Sequence, residues 1–570
     1  MKRMQRVNPW FVGSSFVIGI ALLSMHGGCA SWTGARADGD GLVALDVGPW
    51  TRPGGFASAE AQRRFDEGLT LTYAFNHDEA VRRFEAAAHL EPEHPLPYWG
   101  IALAHGPHVN RSEVPRERAL AAYAAVQAAR ARIEHASPVD RALIEALAAR
   151  YGADADSPRP PLDRAYADAM RQVLARFPDD QDVGALTAEA LMDLQPWDYW
   201  GPDGSKKGNT AEFVGILERD LARFPNHPGL NHLYIHAMEA GPTPGHAKAA
   251  ADRLRTLTPD AGHLLHMPAH IDIRLGDFAA ASAANRVAMA ADARLAAATP
   301  KAGFYRVYMA HNPHFLAFTS MMEGNFAHAH AAARKMLDDM PAEFVEQMGA
   351  IADGFAPIEV HVLVRFGKWD RILALPRFAE HLQFSNGTLH YARGVALTAL
   401  GRTDEAAAEL AALEDIAGKL DARIIGINEA RVVLRIARDL LAGELAFRRG
   451  DREAGLALLR AAVRTEDALL YMEPPDWMMP ARHPLGAALL EAGLHDEAAT
   501  VFRQDLERFP ENGWALFGLS QALAGTGDSA AAEDALRRHR AAFADADVEL
   551  RSPCFCQPGL GALRMLAPRR

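Results

Sequence analysis

From about residue 60 to residue 540, apolar positions recur three and four residues apart, in Ala-rich segments separated by turns of Gly, Asp or Asn and an aromatic residue. That spacing places one apolar stripe on each of a long series of amphipathic helices. Sustained period-two alternation bounded by hairpin turns does not occur, so strands are not expected. One unit begins at Asn76 and carries Ala80, Phe84, Ala87 and Pro92. Small residues there let paired helices approach closely, and the proline stops the second helix. Turn glycines at Gly276, Gly324, Gly367, Gly401, Gly450, Gly493 and Gly527 lie 48, 43, 34, 49, 43 and 34 residues apart, three spacings that recur in order to within one residue.

Near the C-terminus the period tightens. Gly493 and Gly527 lie 34 apart, as do Ala498 and Ala532, and Pro510 closes the unit. That is the tetratricopeptide period. The expectation is an all-α protein: a tetratricopeptide-like, right-handed α-solenoid of antiparallel helix pairs over residues 56–545, followed by an irregular tail at 546–570. Two stretches interrupt the array, the Pro/Asp-rich Gly152 to Pro161 and the aromatic PWDYWGPDGSKKGNT of Pro196 to Thr210. An aromatic loop beside a groove either lines a ligand site or plugs the solenoid's open side.

The N-terminus reads as a signal for export. Lys2, Arg3 and Arg6 precede a mostly apolar run from Trp10 to Met25, and Gly27-Gly28-Cys29 follows. This is a secretory pattern, too short for a spanning helix. Residues 1–29 are therefore expected to be a lipoprotein-type export signal with Cys29 as the lipidated residue, and 30–55 a linker. Ala35-Arg36-Ala37 offers a second cleavage route without a lipid, and His26 stands where lipoprotein signals prefer Leu, Val or Ile. The expected location is the periplasm or cell envelope, with membrane contact only through that anchor. A net charge of −12 without a basic cluster argues against nucleic acid. Cys554 and Cys556 are too few for a disulfide framework. A Cys-x-Cys pair is more often a surface thiol pair or a local disulfide than a soft-metal site.

Histidine carries the chemistry. Of 24 histidines, nine fall between His227 and His314. His232 and His236 share a helical face with Glu239 one turn on. His263, His266 and His270 form a second group, His311 and His314 a third. Pro228, Pro268 and Pro313, 40 and 45 residues apart, are each expected in the first turn of a helix. Equivalent positions in successive repeats stack along one surface, so the three groups should converge on one groove. Neutral imidazole is the commonest transition-metal ligand. Seven imidazoles and Glu239 exceed one tetrahedral site, so two ions, or one ion with a supporting shell, are expected. Zn, Cu and Fe are not distinguished by such ligands. Glu239 is a ligand, a general base or an orienting group for an imidazole. His105 and His108 reach the groove mouth or serve helix ends. Glu473-Pro474-Pro475-Asp476-Trp477 and His483-Pro484 form a turn into another helix; its carboxylates either face the groove or, as is expected, serve the turn. The sequence contains no P-loop, dinucleotide fingerprint, nucleophile elbow or HExxH.

The segments NHPGLNHLYIHAMEA, AGHLLHMPAHIDIRLGDF, HNPHF and EPPDWMMPARHPLGAALLEAG together resemble a family of exported bacterial tetratricopeptide-repeat proteins with His-rich central repeats. The resemblance spans roughly residues 55 to 540 and implies the fold, without an established activity. Two function classes follow. In the first, a multi-histidine transition-metal site in the concave groove acts on a small molecule. In the second, the array is a non-enzymatic scaffold that holds a protein or peptide ligand in that groove.

Overall fold

The computed structural model describes residues 42–298, 303–340, 345–346 and 348–556. The export segment and Cys29 lie outside the described residues. Helices follow one another in chain order and pack chiefly on their sequence neighbours, the pattern of an α-solenoid. The series opens with Ala59–Tyr73 and His77–Leu90 and closes with Gly513–Thr526 and Ser529–Ala542. Short connections force consecutive helices to run antiparallel. Strand pairing among the described residues amounts to Ile424–Ile425 with Asn428–Glu429 and isolated bridges such as His108 with Arg111 and Trp200 with Lys206. No helix among them is long and apolar enough to cross a membrane.

One packing device recurs at both ends of the array. The Phe84 ring fills the space between Gly68 and Gly100, and the Phe502 ring that between Gly486 and Gly518. In each case the glycines stand sixteen residues before and after the phenylalanine. A Cβ at Gly486 or Gly518 would come within 2.3 Å of the Phe502 ring. Helices thus close on a flat ring where an ordinary side chain would hold them apart. All seven turn glycines adopt positive φ. Gly276 and Gly527 sit just past their helices in the left-handed conformation, which costs a residue with a Cβ about 1 kcal/mol or more.

Pro228 and Pro268 begin their helices as expected. Pro313 does not: it lies inside Arg306–Met322. The helix begins seven residues upstream, next to the buried Tyr305, so the proline leaves one i→i−4 hydrogen bond of its interior unmade. Residues 42–55, in the stretch expected as a linker, are laid against the array. Arg52 is buried there, 2.7 Å from Asp140 and 2.9 Å from Asp180 and Asp182. The irregular segment after 545 folds back as well. Asp547 accepts hydrogen bonds from the backbone N–H groups of Phe326 and Ala327 at 2.6 and 2.8 Å, capping Phe326–Asp339.

Candidate metal centre

Three elements bring the histidines together: the helix Pro228–Met238, the helical stretch Gly262–Leu275, and the helix Arg306–Met322. His227 caps the first. Its Nδ1 accepts the Leu230 N–H at 3.1 Å, so its Nε2–H donates to Asp182 Oδ1 at 3.0 Å. It is a structural histidine. His232 and His236 follow on one stripe, and Glu239 stands at the helix end. In the second element Met267 keeps right-handed helical angles between two short segments. His263, His266 and His270, three and four apart, therefore stay on one face despite Pro268.

Two sets of three imidazoles result. One nitrogen from each of His232, His236 and His263 lies within 4.8 Å of the others, and the same holds for His266, His270 and His311. Ring centroids are 4.6 Å apart for His232–His236, 4.9 Å for His232–His263, 4.7 Å for His266–His270 and 4.8 Å for His266–His311. His311 is half-buried and the other five are buried.

Hydrogen bonds outside each set fix the rings. The Tyr73 carbonyl accepts from His232 Nδ1 at 2.6 Å. Glu239 Oε1 accepts from His236 Nδ1, also at 2.6 Å. Asn285 donates its amide to the Ala281 carbonyl, so its oxygen is the atom that accepts from His266 Nδ1 at 2.8 Å. His270 Nδ1 faces Glu239 Oε2 at 2.6 Å and Glu473 Oε2 at 2.9 Å. In His232, His236 and His266 Nδ1 carries the hydrogen and Nε2 presents its lone pair, whereas His270, its pKa raised to about 10 by the two carboxylates, carries hydrogen on both nitrogens when no metal is bound. The Nε2 atoms of His232 and His236 are buried without a partner, as are both nitrogens of His263. His266 Nε2 and His270 Nε2 stand 2.9 Å apart. The charged His270 donates Nε2–H to the neutral His266 Nε2 there, and a metal ion bound by both rings would take the place of that proton.

Each Glu239 carboxylate oxygen lies beside one imidazole, one in each set, and Glu239, His270 and Glu473 also stand close enough together to hold an ion. Burial alone would raise its pKa, but His270 and His236 hold it well below the usual carboxylate range. Burial would lower the pKa of His270, and Glu239 with Glu473 raise it instead. His232, His263, His266 and His311 are pushed well below the ordinary histidine range, first by burial and then mainly by neighbouring imidazoles. They are neutral, which is the form that coordinates.

His314 does not join either set. Its ring stacks on Phe355 at 4.6 Å and faces His361. Although it stands three residues from His311 on the same helix, it meets Phe355 and not the other imidazoles. His108 stacks on Phe75 at 4.2 Å, beside His77 at 4.7 Å, and Phe75 in turn packs against His232 at 4.5 Å. Phe75 holds a left-handed φ of 56°, a costly conformation for an aromatic residue. His105 ends its helix, and its ring is not in the cluster. Of the aromatic loop, Trp197 stands edge-on to His236 at 5.2 Å, so that loop lines the site.

Sequence reasoning missed Glu473, Asn285 and the Tyr73 carbonyl. Glu473 was expected to be structural, and it lies 203 residues from His270. A backbone carbonyl has no side-chain signature. Asn285 sits in an Ala-rich helix with nothing local to mark it.

Residues 489–551 match the tetratricopeptide repeat family. No curated protein matches the sequence. Among solved structures, the chain is similar to a human IFIT1 dimer with m7Gppp-AAAA at 12% identity, over 86% of this chain and 91% of that one, with a TM-score of 0.32. It is also similar to yeast Tom70 at 12% identity, over 82% and 96% of the two chains, with a TM-score of 0.28. Neither likeness carries a functional argument.

Proposed function

We propose that this protein binds transition-metal ions at two adjacent three-histidine sites inside the helical array: His232, His236 and His263 at one, His266, His270 and His311 at the other. One observation carries the reading. Four buried rings have Nδ1 bound outward to oxygen while Nε2 is turned toward the other imidazoles. Metal-ligating histidines are held in this way by acceptors behind them. Three histidines leave a tetrahedral ion one open position, the arrangement that metal sites use to bind water or a small molecule. His311, the half-buried member, supports access from that side.

The depth of the cluster bears on the scaffold alternative. His232 and His266 are fully buried, so a peptide lying on the concave surface would not touch them. Only something the size of an ion or a small molecule fits such a position. Zn, Cu and Fe are equally compatible with imidazole ligands.

The test is elemental analysis of protein purified without a His-tag or chelator. The expected content is about two first-row transition metals per chain, one for each three-histidine set. His236→Ala with His270→Ala removes one ligand from each set and should strip most of the metal. Wild type that remains metal-free after incubation with Zn, Cu and Fe ends the proposal.

A further inference from the structure

A second reactive cluster lies away from the histidines. Cys554 and Cys556 form a disulfide, and a carboxylate oxygen of Glu444 lies within 4.8 Å of both sulfurs. Glu444 projects from the helix Ala430–Arg448 and is 1% exposed. Its Oε2 has no hydrogen-bond partner. A buried carboxyl left this way is costly, and such groups call for an explanation. The cysteines differ from each other. Cys554 is half-buried, and the Cys556 N–H is directed at its sulfur at 3.3 Å. Cys556 is buried at 3% exposure. Between them Phe555 is pinned, its ring 5.7 Å from that of Trp514 and in contact with Gly367. The loop is thereby held in place beside Glu444.

We propose that Cys554–Cys556 is a thiol–disulfide exchange site for small thiols, with Cys554 as the attacked and attacking sulfur and Glu444 as the proton donor and acceptor for Cys556. An external thiolate attacks Cys554 Sγ and forms a mixed disulfide. The Cys554–Cys556 bond breaks, its electron pair goes to Cys556, and that buried sulfur takes the Glu444 proton to become a thiol. A second external thiolate then attacks the sulfur of the bound small thiol. It releases the oxidised small disulfide and leaves Cys554 as a thiolate, which the Cys556 N–H stabilises. The two protons lost when the small thiols ionise return through solvent to Glu444 and to Cys554, so the sum is one protein disulfide and two thiols giving one protein dithiol and one small disulfide. In the oxidising direction each step reverses, and Glu444 removes the proton from Cys556.

The surroundings of Glu444 suit this role. Burial pushes its carboxyl up to about 8, against the opposing charge of Arg448 one turn along the same helix. Tyr391, from Gln383–Ala399, is the titratable group facing it from a neighbouring helix. At neutral pH the carboxyl therefore holds the proton that a buried leaving thiolate requires.

The experiment uses full-length protein carrying Cys29→Ser, so that thiol counts report this pair alone. Reduction by glutathione is followed by trapping with a maleimide mass tag across pH 6 to 9. The expected result is reversible exposure of two thiols. The rate, corrected for the thiolate fraction of the reagent, should fall as pH rises through about 8. Glu444→Gln should slow it by about 100-fold at pH 7 and flatten that profile, since general acid–base catalysis supplies roughly 10²–10⁴-fold. Cys556→Ala should leave Cys554 readily alkylated, whereas Cys554→Ala should leave Cys556 slow to react. Three outcomes overturn the proposal: a pair that glutathione does not reduce, a Glu444→Gln profile equal to wild type, or a reversed order of cysteine reactivity. Circular dichroism confirms that each variant is folded.

Discussion

Replacing Glu239 with Gln tests the coupling of the two histidine sets. The carboxylate contacts His236 Nδ1 and His270 Nδ1 at 2.6 Å each, one oxygen apiece. A glutamine amide offers one acceptor and one donor at the same place. Its oxygen can serve only one imidazole, and its NH₂ then confronts the N–H of the other. That second ring either loses its support or adopts the tautomer whose Nε2 carries hydrogen and cannot ligate. The ring that keeps an acceptor exchanges a charged one for a neutral one, a loss of about 1–2 kcal/mol. Loss of an orienting partner behind a metal ligand typically lowers affinity about 10- to 100-fold, or about 1.4–2.8 kcal/mol. Glu239→Gln should therefore weaken both sites by at least that factor. Glu473→Gln should weaken only the set containing His270, because Glu473 contacts that imidazole alone among the six. The assay is competition of metal-free protein against a chromophoric chelator, with each site resolved by titration and helicity checked by circular dichroism. Affinities unchanged in folded Glu239→Gln, or a Glu473→Gln loss spread equally over both sites, would refute the reasoning.

Two further predictions concern stability. Burial pushes His314 down to about 3 and His361 down to about 4, so both stay neutral in the folded chain at pH values where the unfolded chain takes up protons. Stability of metal-free protein should then fall as pH drops below about 6.5, by about 1.4 kcal/mol per pH unit for each such histidine. His314→Gln should make that slope shallower by one share in urea titrations between pH 6.5 and 5, and an unchanged slope counts against a neutral buried His314. Removing the ring between two glycines, Phe502→Ala, should cost about 3–5 kcal/mol. Gly518→Ala, which meets that ring at 2.3 Å, should cost about 1–3 kcal/mol. Thermal melts that coincide with wild type would mean that the ring does not hold the helices together.

Periodicity and small residues were enough, by themselves, to determine the all-α array, because each helix buries its stripe against its sequence neighbours. Gly276 and Gly527 marked helix ends for the same local reason: the turn requires a left-handed residue. The stripes His232/His236/Glu239 and His263/His266/His270 were equally legible, since three- and four-residue spacing fixes a helical face. Which histidines share a point was not. His311 and His314 sit three residues apart on one helix, yet one faces His266 and the other Phe355. Which neighbouring elements the helix packs against decides where each ring goes. That Glu239 touches both sets appears only where the second helix brings His270 to its other oxygen. Glu473 and the Tyr73 carbonyl reach the site from 203 and 159 residues away, through packing of distant repeats. Local spacing carries no record of such contacts, because they are set by how the array stacks and by the backbone that the stacking positions.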